Sequence, residues 1–220
     1  MTWSSVAMIV LLLSGLVLWW PLKRIRIRSS GSSRQWWFDF HNMIGVFSLV
    51  FLLILAASGV VIGFERQTVP LFFSVTGSSP VQPPDGKVTP PADGRARLGV
   101  DSAMAIARAA LPGAEPFQID VPKPDEAYHV RLRYPEDRTP GGRSQAMIDP
   151  YTGRVMFAQG SRTAPAGARV VIANRAIHTG DLLGVPTKML MSLASLMAVV
   201  QLVSGVVMFI RRAGRSRAAA

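Results

Sequence analysis

The chain has 220 residues, 49% of them hydrophobic, and its 24 basic and 13 acidic side chains give a formal net charge of +11. It contains no cysteine, which excludes disulfides, thiolate metal sites and thiol nucleophiles. Nucleic acid is the first partner such a charge suggests, but the placement of the charge excludes it.

Trp3 to Trp20 contains no charged residue, nor does Met43 to Phe64, nor Met189 to Ile210. About 20 apolar residues at ~1.5 Å rise cross the hydrocarbon core of a bilayer, so each block is a spanning candidate. The first block also invites comparison with a signal peptide. It lacks a basic segment ahead of the apolar run, and Trp19-Trp20-Pro21-Leu22-Lys23-Arg24 is no small-residue cleavage site, so a retained helix over 3–20 is the expectation. Residues 21–40 follow as a basic loop, with Lys23, Arg24, Arg26, Arg28 and Arg34 against Asp39 alone. The second span is expected over 41–64.

Residues 65–99 read as a Pro-rich linker, with Pro80, Pro83, Pro84, Pro90 and Pro91 in its later part. Asp101 to Leu111 is Ala-rich and ends at Pro112-Gly113, which predicts a helix. Phe117 to Val121 and Tyr128 to Tyr134 alternate apolar and polar residues, so each reads as a strand with one buried and one wet face. Ala146 to Asp149 and Arg154 to Phe157, joined through Pro150-Tyr151-Thr152-Gly153, read as a hairpin. The domain at 100–160 is therefore one helix and four strands. A linker over 161–184, a third span over 185–210 and a basic tail over 211–220 complete the chain.

Short basic segments beside spans mark the cytoplasmic side, whereas long domains do not count. Glu65 to Pro186 holds 14 basic and 12 acidic residues, nearly in balance. The expected topology puts the N-terminus outside, the 21–40 loop and the tail inside, and the domain outside. The expectation is a multi-pass protein of the cytoplasmic (inner) membrane with an extracytoplasmic domain. Anionic lipid headgroups account for the basic clusters without nucleic acid. The expected fold class is an α-helical membrane protein, three transmembrane helices carrying a small α+β domain.

Each span holds a Ser-Gly pair: Ser14-Gly15, Ser58-Gly59 and Ser204-Gly205. Small residues let helices approach closely, which by itself explains all three pairs. The first and third spans also agree in direction and in the basic run that follows them, as equivalent parts of a duplicated unit. One whole unit, 41–212, then follows the closing helix of another whose start is absent, through loss or truncation.

The helix ending in Leu111-Pro112-Gly113 and the Asp149-Pro150-Tyr151-Thr152-Gly153 turn resemble the PepSY domain. Phe40-His41-Asn42-Met43-Ile44-Gly45 opening a span, Ile177-His178-Thr179-Gly180 ahead of the last span, and the Ser-Gly-Leu-Val-Leu-Trp-Trp-Pro ending of the first resemble the PepSY-associated transmembrane family. The resemblance covers nearly the whole chain. Full members have a further span and outer region upstream, which this chain lacks.

Two of the three histidines sit at span mouths. His41 has Gly45 one turn on, and an imidazole beside a missing side chain suits an axial haem ligand. Asn42 and Arg34 are nearby candidates for the propionates. His178 has Arg175 one turn before it. The competing reading places both imidazoles simply at headgroup level. Some family members resemble ferric-siderophore reductases with b-type haems, so the resemblance implies haem b on His41 and His178. About 30 Å of hydrocarbon separates the two mouths, so they cannot share one haem. Each needs a second ligand, from a homodimer or a companion half-protein. His178 precedes Ser204 by 26 residues, and the same offset back from Ser14 falls before Met1. His129 falls on the wet face of its strand and reads as surface.

Three functions stay open. One is a haem-bearing subunit that carries electrons outward to ferric iron or a ferric chelate. Another is a non-enzymatic anchored module that binds or inhibits a protein such as a peptidase. The third is a truncated copy without function alone. No catalytic residue is assigned.

Overall fold

A computed structural model describes residues 2–21, 23, 25, 27 and 32–218, with side chains described for all but residue 2 and residues 213–218. Arg24, Arg26 and Arg28 of the basic loop lie outside the described residues, as do the side chains of Arg215 and Arg217. The chain divides into two compact units, Met1–Glu65 with Ile177–Ala220, and Arg66–Ala176.

The first unit is a bundle of long helices. Helix α1 spans Thr2–Trp19, α2 spans Ser33–Gly63 and, late in the chain, α6 spans Val185–Ala218. Two helices are long and apolar enough to cross a membrane, Ser33–Gly63 and Val185–Arg212, while the apolar stretch Trp3–Trp19 is shorter. Helix α2 starts well before the span expected at 41. Ser32 accepts from the Gln35 amide and the Gln35 side chain accepts from the Ser32 amide, a reciprocal cap that closes the first turn. Trp36 then stacks on Phe40 at 5.0 Å, one turn apart, which adds aromatic support to that extra stretch. Helix α6 likewise continues through the basic tail instead of ending at 210.

Helix α2 packs against both α1 and α6. Trp3 meets Phe64 edge-on at 5.5 Å, and Ser5 lies against Gly59, so α1 runs antiparallel to α2. Gln201 Nε2 donates to the His41 carbonyl at 2.7 Å, so α6 is antiparallel to α2 as well. Helices α1 and α6 therefore run in parallel.

The second unit contains α3 (Glu65–Val75), α4 (Val100–Ala110), β1 (Glu115–Asp120), β2 (Tyr128–Arg133), β3 (Ser144–Ile148), β4 (Val155–Gln159) and most of α5 (Ala166–Thr179). The strands form one antiparallel meander in the order β1-β2-β3-β4. Alternation in β2 puts Tyr128, Val130 and Leu132 into the core, with Arg131 and Arg133 exposed. Helix α4 covers that face with Ala103 and Ala107, whose small side chains allow close helix–sheet approach. The Asp149 turn forms as the sequence predicts. Asp149 accepts from the Tyr151 and Thr152 amides and from the Thr152 hydroxyl, and Gly153 takes φ +72°, open to glycine at little strain.

The linker readings of 65–99 and 161–184 do not anticipate α3 and α5. Pro70 inside α3 and the Gly- and Arg-bearing opening of α5 hide their periodicity. What holds them is mutual contact. A Cβ on Gly167 would come within 2.9 Å of Phe73 Cα, so only glycine admits this approach, and Ser78 Oγ accepts from the Gly167 amide at 3.0 Å.

Candidate functional site

Both mouth histidines are held by a Ser-Gly pair. His41 Nδ1 lies 2.7 Å from Ser204 Oγ, and His178 Nδ1 lies 2.9 Å from Ser58 Oγ. The glycine of each pair lies against the same ring. A Cβ on Gly205 would be 3.7 Å from His41 Cε1, and one on Gly59 would be 3.3 Å from His178 Cε1. Two of the three Ser-Gly pairs are thus halves of a clasp, an imidazole lying over glycine and bonded to serine.

The serine hydroxyls also bond within their own helices. A serine hydroxyl has one proton to donate. Ser58 directs its proton to the Ile54 carbonyl at 2.7 Å, and Ser204 to the Gln201 carbonyl at 3.1 Å. With its proton on that carbonyl, each hydroxyl is an acceptor for an Nδ1–H, the tautomer that leaves Nε2 its lone pair. Among the described residues no hydrogen bond engages Nε2 of either ring. Metal-binding histidines are prepared in this way, with the other ring nitrogen donating to a fixed acceptor.

The surroundings hold each ring in place. Gln201 ties α6 to the His41 backbone, and its amide fills the space that a Gly45 side chain would need, with Nε2 2.9 Å from a Gly45 Cβ. Gly45 therefore faces Gln201 as well as the cavity described below. His178 lies near the end of α5, followed by a tight turn. Gly180 has φ +74°, and a Cβ there would meet the Thr187 carbonyl at 3.0 Å. Asp181 is 6% exposed, accepts from the Thr179 hydroxyl at 2.6 Å and pairs with Lys188 at 2.8 Å. The Lys188 ammonium, with the Thr179 hydroxyl, holds the Asp181 carboxyl below its ordinary range against the opposing effect of burial.

His41 and Ser58 are 17 positions apart on α2, which at 1.5 Å per residue puts the two clasps about 26 Å apart along the bundle. They are separate sites.

The His41 clasp opens onto an apolar cavity of 520 Å³ between α1, α2 and α6. Helix α1 lines it with Met8, Leu11, Leu12, Gly15, Leu16 and Trp19, and α6 with Ala198, Gln201, Leu202, Gly205, Val206 and Phe209. Each α6 residue is the α1 residue plus 190. The two helices present equivalent faces to one cavity, with α2 contributing His41, Asn42, Gly45 and Ser48 between them. The equivalence fails at one place. Ser204 and Gly205 hold His41, whereas Ser14 Oγ bonds its own Leu11 carbonyl at 2.9 Å and nothing lies within 4 Å of a Cβ on Gly15.

Asn42 thus lines the His41 cavity, but Arg34 does not; it lines a different recess at the start of α2. Arg175 lies one turn before His178 on α5 and is exposed. His129 sits on the open face of the sheet, beside Gln145 at 3.0 Å and Asp120 at 3.6 Å. Ser58, Gln201, Ser204 and Gly205 are site residues that the sequence reading took only as packing or did not single out. A constant offset of 190 between Ser14-Gly15 and Ser204-Gly205 is the signal that finds them.

The PepSY-associated TM region family matches residues 1–212, from α1 through the last span. The chain belongs to this family. No curated protein matches it. Both clasps and the whole cavity fall within the matched residues, so the site belongs to the part of this PepSY-associated membrane protein that defines its family.

Proposed function

We propose that this PepSY-associated protein is a haem-binding electron-transfer subunit with three spans in the inner membrane, its sheet domain outside, acting on ferric iron or a ferric chelate. The observation that carries the reading is the doubled clasp. Two imidazoles about 26 Å apart along the bundle each lie with Nδ1 within hydrogen-bond distance of a serine hydroxyl, an arrangement in which Nε2 would be the metal-facing nitrogen.

The residues at the His41 clasp fit a haem. The cavity is apolar, its volume of 520 Å³ suits a cofactor of that class, and Gly15, Gly45 and Gly205 keep large side chains out of its walls. His41 would hold the iron and Asn42 is placed to meet a polar edge. His178 would hold a second haem at the other clasp. When bound, haem supplies a one-electron iron couple. The protein's part is to fix both imidazoles, exclude water from the His41 cavity and keep the two sites on one axis through the membrane.

A second residue to hold the iron at the His41 cavity would come from a further histidine-bearing helix, in another copy or a companion chain. Ser14 and Gly15 support this. They occupy the positions that Ser204 and Gly205 use to hold His41, and no imidazole fills them among the described residues. The test is spectroscopic: protein purified from haem-supplied cells should show a b-type Soret band and reduced α band. Protein that stays haem-free under that supply sinks the proposal.

A further inference from the structure

A second recess lies where α2 begins and α6 ends. Its volume is 570 Å³, and its walls include Arg34, Trp37 and Phe38 from α2 and Met208, Arg211 and Arg212 from α6. Arg211 Nη1 donates to Ser33 Oγ at 2.5 Å, which draws the end of α6 onto the first turn of α2. Three guanidinium groups thus line one recess, and among the described residues no carboxylate pairs with any of them.

Helix-end electrostatics alone do not explain the cluster. The opening of α2 is already capped by Ser32 and Gln35, so its amides are not the seat. A soluble anion would be served by the arginines alone. Here Trp37, Phe38 and Met208 add an apolar wall beside them, at the mouth of a membrane-spanning helix.

We infer that this recess binds the phosphodiester headgroup of an anionic phospholipid. Arg34, Arg211 and Arg212 grip the phosphate through planar, paired donors, while the upper acyl chain lies along Trp37, Phe38 and Met208. The inference does not depend on haem binding.

The experiment compares lipid retention by native mass spectrometry of the full chain in detergent, with phosphatidylglycerol, phosphatidylcholine or inorganic phosphate added. Wild type should keep phosphatidylglycerol in preference to phosphatidylcholine, and millimolar phosphate should not displace it. Each arginine contributes about fivefold at a membrane surface, so the Arg34→Gln/Arg211→Gln/Arg212→Gln variant should hold phosphatidylglycerol on the order of a hundredfold more weakly. A charge-matched Arg131→Gln/Arg133→Gln/Arg154→Gln variant, altered in the sheet unit, should retain it as wild type does. Equal retention by the two triple variants, or equal retention of the two lipids, overturns the site. Displacement by inorganic phosphate overturns the lipid assignment in favour of a soluble anion. Circular dichroism on each variant confirms that the helices remain.

Discussion

The Nδ1 of His41 and the hydroxyl of Ser204 are 2.7 Å apart although 163 positions separate them in the chain. Antiparallel packing of α2 and α6 creates that contact, and the serine's second bond, to the Gln201 carbonyl, holds the hydroxyl in place. Replacing Ser204 by Ala, or Ser58 by Ala, removes the acceptor for the ring proton and leaves the imidazole free to turn. Loss of such a supporting partner weakens metal binding by about 10–100-fold. Titration of each variant with haem should show that loss, with a shifted midpoint potential at the altered site. Unchanged affinity and potential would mean the serines only pack.

Glycine positions should separate packing from binding. A Cβ on Gly59 would lie 2.9 Å from Ser5 Oγ and 3.3 Å from His178, so Gly59→Ala should loosen α1 from α2 by about 1–3 kcal/mol. A Cβ on Gly15 meets nothing within 4 Å, so Gly15→Ala should leave the bundle as stable as wild type. Thermal unfolding in detergent checks both. The larger Gly15→Leu should fill cavity volume and reduce haem uptake while the helices stay intact.

The sheet unit should depend on the Asp149 turn. Burial raises this carboxyl's pKa, but the Thr152 hydroxyl and the Tyr151 and Thr152 amides outweigh it and hold the group below its usual value. A carboxylate whose folded pKa lies below its unfolded value adds stability above the unfolded value and loses it as pH falls through the folded one. The unfolded value is about 3.9, so this contribution is complete above about pH 5 and declines through pH 4 and below. Asp149→Ala should destabilise the unit by about 1–3 kcal/mol at neutral pH and flatten that acid limb. An acid titration of unfolding midpoints for wild type and variant measures both effects.

Leu132 is fully buried between the sheet and α4. Leu132→Ala should destabilise the sheet unit by about 2–5 kcal/mol through lost burial and a residual cavity. The His41 spectrum should not change, since Leu132 belongs to the other unit. Denaturant unfolding followed by tyrosine fluorescence, beside an absorption spectrum, tests the separation.

Local chemistry made much of the fold legible. Alternation in Tyr128–Tyr134 marks its buried face without any knowledge of partners, and Asp149 to Gly153 specifies its turn by short-range hydrogen bonds. The parallel course of α1 and α6 followed from matching Ser-Gly pairs. Long-range relationships were hidden. Nothing near His41 in sequence announces Ser204, because the contact exists only once two long helices register against each other. Helix α5 was masked by its Gly- and Arg-bearing opening, since its stability comes from Phe73 beneath Gly167 and not from a strong apolar stripe. Arg34 looked like a neighbour of His41, yet it lies about 10 Å farther along α2 and lines a different recess.

The central claim is that His41 and His178 each bind iron through a serine-fixed imidazole. Absorption spectra of purified wild type, His41→Ala and His178→Ala, oxidised and reduced, test it most directly. The expected result is a b-type spectrum in wild type and the loss of one haem's share in each single variant, with helicity preserved. A wild type without a Soret band after haem supply, or single variants with full haem content, would contradict it.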